Sequence, residues 1–190
     1  MKVLAIAGSL RAASLNRKLL EAAAGPLEEL GAEVELLGAG ALRELPHFDE
    51  DIEGERIAAV EELREAIAAA DGILIATPEY NSSIPGVIKN AVDWASRPRA
   101  DAALKGKPVA VIGASVTPFG AVWAQAELRK VLGSAGARAI DAELPVGNAT
   151  TAFDEDGRLA DEAPLREVLR ELIAQIELDR KASEAALAAA

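Results

Sequence analysis

Val3-Leu4-Ala5-Ile6-Ala7-Gly8-Ser9-Leu10-Arg11-Ala12-Ala13-Ser14-Leu15-Asn16 passes from a short apolar run, through a turn rich in hydroxyl and amide groups with one arginine, into a helical pattern. The apolar run is short enough for a strand buried on both faces. Leu15, Leu19, Leu20 and Ala23 then mark one face of a helix, which Gly25-Pro26 is expected to break or kink before Leu27 and Leu30. The same alternation continues along the chain. Further apolar runs lie at Val34 to Leu37, Gly72 to Ala76, Pro108 to Gly113 and Arg138 to Leu144. Between them Ile57, Val60, Leu63, Ile67 and Ala70 trace a helical stripe. Helices are also expected to open at Pro85 and to run from about Val122 to Gly133 and from about Leu165 to Leu178.

Short, doubly buried strands alternating with helices imply a parallel sheet covered on both faces, a three-layer α/β fold. Five strands favour a doubly wound, flavodoxin-like sheet of order 2-1-3-4-5 over the six-stranded dinucleotide fold. Residues 1–180 are expected to form one domain, and the alanine-rich 181–190 a tail that extends the last helix or frays. Ligands of such sheets bind beyond the carboxyl ends of the strands where the order reverses, here between the first and third strands. Three loops therefore matter: Ser9 to Asn16, Thr77 to Gly86, and Ala114 to Gly120.

Composition narrows the function. The chain of 190 residues holds 20 Lys+Arg against 31 Asp+Glu, a net charge of −11 that repels polyanions and argues against nucleic-acid binding. Hydrophobic residues reach 51% but aromatics only 3%, so the core is aliphatic. Cysteine is absent, which excludes disulfides, thiolate metal sites and cysteine nucleophiles and is compatible with a reducing cytoplasm. Met1 leads directly into the first strand, with no signal peptide and no apolar span of about 18 residues expected.

The first loop has the build of a pocket for a terminal phosphate. Unpaired N–H groups at a helix N-terminus sit at the positive end of the helix dipole, Ser9, Ser14 and Asn16 add side-chain donors, and Arg11 adds a charged fork. The residues leave a plainer reading open, in which Ser14 caps the helix and Arg11 is solvated surface. Only Gly8 is present of the glycines a pyrophosphate would need, so a monophosphate is the better match. A low-molecular-weight tyrosine phosphatase would need a cysteine in this loop, and a phospho-receiver domain would need acidic residues after the first strand and a phosphoacceptor Asp after the third; none of these is present. His47 stands alone, Asp49-Glu50-Asp51 lacks calcium-loop spacing, and Asp156-Gly157 reads as a turn, so no metal site is expected. Trp94 and Trp123 read as core or interface anchors.

Gly8-Ser9-Leu10-Arg11-x-x-Ser14-x-Asn16-Arg17, followed by Thr77-Pro78-Glu79-Tyr80-Asn81-x-Ser83-x-Pro85-Gly86-x-x-Lys89-Asn90-Ala91-x-Asp93-Trp94, resembles the NAD(P)H-dependent FMN reductase family, which includes quinone, chromate and azo-dye reductases. The similarity in pattern runs from Met1 to about Leu178. The resemblance implies FMN as cofactor, NAD(P)H as co-substrate and a small-molecule electron acceptor such as a quinone or free flavin. It implies that Ser9, Arg11, Ser14 and Asn16 hold the FMN phosphate, that Pro78, Glu79, Tyr80 and Asn81 lie along the ring and ribityl chain, and that Ser115 approaches the flavin. Because the flavin carries the redox chemistry, no catalytic acid or nucleophile is named. A homodimer or homotetramer, with a neighbouring subunit helping to wall the site, is also implied. Many relatives carry a glycine-rich third loop ending Gly-Gly-Ala-Arg-Ala-Gln, whereas this chain reads Thr117-Pro118-Phe119-Gly120-Ala121-Val122-Trp123-Ala124-Gln125. A flavodoxin-type electron carrier without pyridine-nucleotide turnover, or a binding protein on a degenerate fold, stand as alternatives.

Overall fold

Five parallel strands form one sheet in the order β2-β1-β3-β4-β5 in a computed structural model that describes residues 1–188. The strands are β1 (Lys2–Ala7), β2 (Glu33–Leu37), β3 (Gly72–Ala76), β4 (Pro108–Ala114) and β5 (Arg138–Val146), each within two residues of its apolar run. The helices are α1 (Leu15–Glu29), α2 (Ala39–Glu44), α3 (Ala58–Ala69), α4 (Gly86–Ala95), α5 (Val122–Ser134) and α6 (Ala163–Ala188). In register, Val3 lies beside Val34 on one side and Gly72 on the other, and Ile73 lies beside Val109.

Strand alternation sorts the core into two layers. Val3, Ala5, Ala7, Leu74, Ala76, Ala110, Ile112 and Ala114 face α1 and α6, whereas Leu4, Ile6, Ile73, Ile75, Val109 and Val111 face the side covered by α3, α4 and α5. The small side chains on the first face leave room for α1, whose Leu19, Leu20, Ala23 and Leu27 are all buried. That packing explains why α1 continues through Pro26 instead of breaking there. Pro26 removes one N–H, but Gly25 before it has no Cβ to meet the proline ring, and the flanking buried contacts outweigh the lost bond. The helix ends at Leu30, whose N–H reaches the carbonyls of Pro26 and Leu27.

Trp94 is fully buried, donates its ring N–H to Pro46 and stands edge-on to Phe48 at 5.0 Å. Trp123, by contrast, is exposed. Asp154 to Arg158 form the expected turn, closed by a Phe153–Leu159 bridge with Gly157 at φ 83°. Among the described residues no helix is long and apolar enough to cross a membrane.

Candidate functional site

The loops after β1, β3 and β4 meet in one cleft of about 270 Å³, lined by Ser9, Arg11, Ser14, Asn16, Pro78, Glu79, Tyr80 and Ser115 together with Leu15, Ala114 and Val116. A wider hollow of about 560 Å³ lies between α1 and α6. Arg166 spans it, paired to Glu29 at 2.7 Å and to Glu162 at 3.0 Å, so it is a surface groove bridged by ion pairs.

In the first loop Gly8 bonds back to the Ala76 carbonyl, and a Cβ there would come within 2.9 Å of Ile88. Glycine is needed so that α4 can back the loop at this distance. Ser14 caps α1 by accepting the Arg17 N–H at 3.2 Å. The capping and phosphate readings are compatible, because the hydroxyl keeps its own proton to donate and the N–H groups of Leu15 and Asn16 have no intrahelical acceptor. Arg11 is exposed and folds over the loop, donating to the Ala13 carbonyl at 2.7 Å. A second guanidinium, which the sequence did not single out, braces the same loop: Arg43 of α2 donates to Leu10 at 2.7 Å.

Asn16 does something the sequence alone could not show. Its amide, only 3% exposed, donates to the Ala114 carbonyl at 2.9 Å and accepts the Ala114 N–H at 2.8 Å. It thus clamps the first turn of α1 to the end of β4, where Ser115 begins the third loop. The Ser115 hydroxyl itself meets Thr117.

In the second loop Pro78 is buried and Glu79 reaches across to accept the Ala124 N–H at 3.1 Å, placing a carboxylate on the first turn of α5 where the dipole favours it. Glu127, one turn further along α5, returns the contact by accepting the Ile84 N–H at 3.3 Å. Tyr80 and Ser83 exchange backbone bonds of 3.0 and 3.1 Å around Asn81 and Ser82, both left-handed at φ 55° and 60°. This is the mirror-image two-residue turn that favours asparagine. Asn81 is exposed in that turn and, unlike the other expected residues, does not line the cleft.

The third loop is mounted tightly. Gly120, at φ 59°, packs so close to Pro145 and Val146 that a Cβ would fall 2.3 Å from the Pro145 carbonyl carbon. Fully buried Gln125 donates to the Gly120 carbonyl at 3.0 Å and accepts the Leu144 N–H at 3.2 Å. Ala121 is left-handed at φ 61°, at the place of the second glycine in the relatives' Gly-Gly-Ala-Arg-Ala-Gln pattern when the two glutamines are matched.

The cradle suits a monophosphate ester: helix-terminal amides, two buried hydroxyls and a guanidinium, beside a buried proline and an exposed tyrosine that can flank a planar ring. The family model of the NADPH-dependent FMN reductases matches residues 1–151. The chain belongs to this NADPH-dependent FMN reductase family. It is 41% identical over 180 residues, 94% of each chain, to an NAD(P)H-dependent FMN reductase of Pseudomonas aeruginosa. It is 37% identical over 161 residues, 84% of each chain, to a quinone reductase of Pseudomonas putida. Its fold superposes with a TM-score of 0.80 on the flavoenzyme FerB of Paracoccus denitrificans, an NAD(P)H:(acceptor) oxidoreductase, at 36% identity over 95% of this chain and 97% of that one. The reductase is accordingly an FMN-dependent NAD(P)H oxidoreductase on a flavodoxin-like fold.

Proposed function

We propose that this reductase passes electrons from NAD(P)H to quinones and other small acceptors, free flavin included. The observation that carries the reading is the convergence of the phosphate-type cradle after β1 with the Pro78–Tyr80 wall after β3 in one cleft at the point where strand order reverses. When bound, FMN supplies the two-electron relay between nicotinamide and acceptor. Overall, NAD(P)H gives up a hydride, one proton comes from solvent, and the quinone leaves as hydroquinone.

The chain's own residues bind and orient. Ser9, Ser14 and the α1 amides would donate to the phosphate, and Arg11 would move off Ala13 to pair with it. Asn16 holds the cradle against Ser115. Pro78, Glu79 and Tyr80 shape the ring side, and Asn81 serves through the turn that presents Tyr80. No side chain is assigned a proton-transfer role. The open side of the cleft supports a homodimer or homotetramer in which a neighbouring subunit covers the ring, and the cysteine-free composition supports a cytoplasmic setting.

The test is to mix purified protein, FMN and NADPH with a quinone and follow absorbance at 340 nm, with light scattering for the mass in solution. Quinone-dependent oxidation is expected. Bound flavin with no oxidation of either nicotinamide would make the protein an electron carrier of the flavodoxin type, and failure to bind FMN would overturn both readings.

A further inference from the structure

Three of the chain's six aromatic side chains, Phe48, Trp94 and Phe153, are buried or packed against the core. The other three are half exposed, at 53% for Tyr80, 57% for Phe119 and 48% for Trp123, and all lie in segments around the cleft. Tyr80 and Val116 line the cleft itself. Phe119 and Trp123 continue the Val116 segment and rest against each other, ring centroids 5.0 Å apart at 55°. The backbone on either side of them is pinned, by Gly120 on Pro145 and by the buried Gln125, and the Ala124 N–H next to Trp123 is held by Glu79. Their exposure is therefore fixed by the mounting of the loop.

The charge that meets this wall is negative, the Glu79 carboxylate on the Ala124 N–H. From Ser115 to Ala126 no residue is charged, in a chain where 27% are, so an anionic acceptor meets no cation here and faces a net charge of −11. A neutral aromatic plane meets two π faces set beside the cleft, on the segment that Val116 joins to its lining and that Glu79, a lining residue, holds at the Ala124 N–H. The neighbouring subunit proposed above covers the ring from the open side of the cleft, and these four side chains do not by themselves make such an interface. Tyr80, Val116, Phe119 and Trp123 together offer on the order of 400 Å² at half exposure, about half of the ~800 Å² per partner that a stable interface buries.

We propose that Phe119 and Trp123 form the docking wall for the electron acceptor and select neutral, planar quinones over anionic acceptors. The inference rests on the reductase reading above and adds the residues that set its specificity. They touch the acceptor and take no part in electron or proton balance.

The experiment compares the wild type with Phe119→Leu and Trp123→Leu, which keep apolar bulk and remove the π face. The acceptors are menadione, which is neutral and planar, and ferricyanide, which is anionic and not planar. The ratio of kcat/KM for menadione to that for ferricyanide should fall about 3- to 10-fold in each variant, the scale of one lost aromatic contact. Without nicotinamide, menadione should quench Trp123 emission saturably, with Trp94 buried and insensitive, and Phe119→Leu should weaken that binding by a similar factor. An unchanged ratio in both variants overturns the proposal. So does a lower oligomeric mass of the variants by light scattering, which would make the wall a subunit interface. Wild-type protein that holds FMN yet oxidises NADPH with neither acceptor overturns the reductase reading itself.

Discussion

Asn16 offers the sharpest test of how the site is built. Replacing it with alanine removes two buried bonds, of 2.9 and 2.8 Å, and leaves the Ala114 N–H and carbonyl without that partner. Two net hydrogen bonds are worth about 1–3 kcal/mol, and two buried unpaired groups cost about 2–6 kcal/mol. The adjoining cleft lets water repair part of the loss, so Asn16→Ala should destabilise the FMN-free protein by about 2–4 kcal/mol. At roughly 2–4 °C per kcal/mol for a chain of this size, Tm should drop by about 4–16 °C. Asn16→Asp separates the two bonds. A carboxylate still accepts the Ala114 N–H but sets an acceptor against the Ala114 carbonyl, so only its protonated form restores the clamp. Its folded-state pKa should lie above the usual value of about 3.9. The penalty is then full above that raised pKa and is relieved as pH falls through it, so the Asp variant should approach wild type in acid. Thermal unfolding of FMN-free protein between pH 4 and 7 checks both points. A Tm for Asn16→Ala within a degree or two of wild type, or an Asp variant with the wild-type pH profile, would refute the clamp.

Arg11→Ala should weaken FMN binding by about 1.5–3 kcal/mol, the worth of a hydrogen bond to a charged group, as read by quenching of flavin fluorescence; equal affinity would return Arg11 to the solvated surface. Glu127→Ala should speed amide exchange at Ile84 and loosen FMN binding about 2- to 10-fold, near the ~1 kcal/mol of one hydrogen bond, and Glu127→Gln, which keeps an acceptor, should restore both. At the far side of the molecule Arg166 holds the Glu29 carboxyl below its usual range through their hydrogen bond. That contribution is complete above the ordinary carboxylate range and is lost as pH falls through the depressed value, so the Tm gap between wild type and Arg166→Met should close in acid. A gap independent of pH would remove the pair from the stability of the α1–α6 groove.

The sheet was legible because each strand is a bounded apolar run in a strict alternation with helices, and strand order then follows from the number of strands. α2 was not. Six residues beginning Ala39-Gly40 carry too few apolar positions for periodicity, and only Leu42 anchors them. Pro26 misleads for the opposite reason, since a local breaking signal is overridden by buried packing on both sides. In the site, residue types at strand ends could be read, and eight of the nine expected residues line the cleft. Their partners could not. Ala114 lies 98 residues from Asn16, and Ala124 lies 45 from Glu79, so no local pattern links them. Asn81 is the converse: its spacing placed it with its neighbours, but it stands exposed in a left-handed turn outside the lining.

The bonds that hold the cleft together divide it into a conserving side and a permissive side in physical terms. The cradle is positioned by main-chain atoms and by side chains that clamp main chain: Gly8 on Ala76, Ser14 on Arg17, Asn16 on Ala114. Substitution there disturbs strand ends and the helix N-terminus together, so stability and cofactor affinity should fall jointly. The third loop is anchored at Gly120 and Gln125, while the Phe119 and Trp123 side chains project from it and rest against each other. Changing those two alters what the wall presents without touching what mounts it. The departure from the Gly-Gly-Ala-Arg-Ala-Gln pattern is therefore of the kind that redirects acceptor choice at little expense to the fold, with left-handed Ala121 as the one backbone position where the change carries strain.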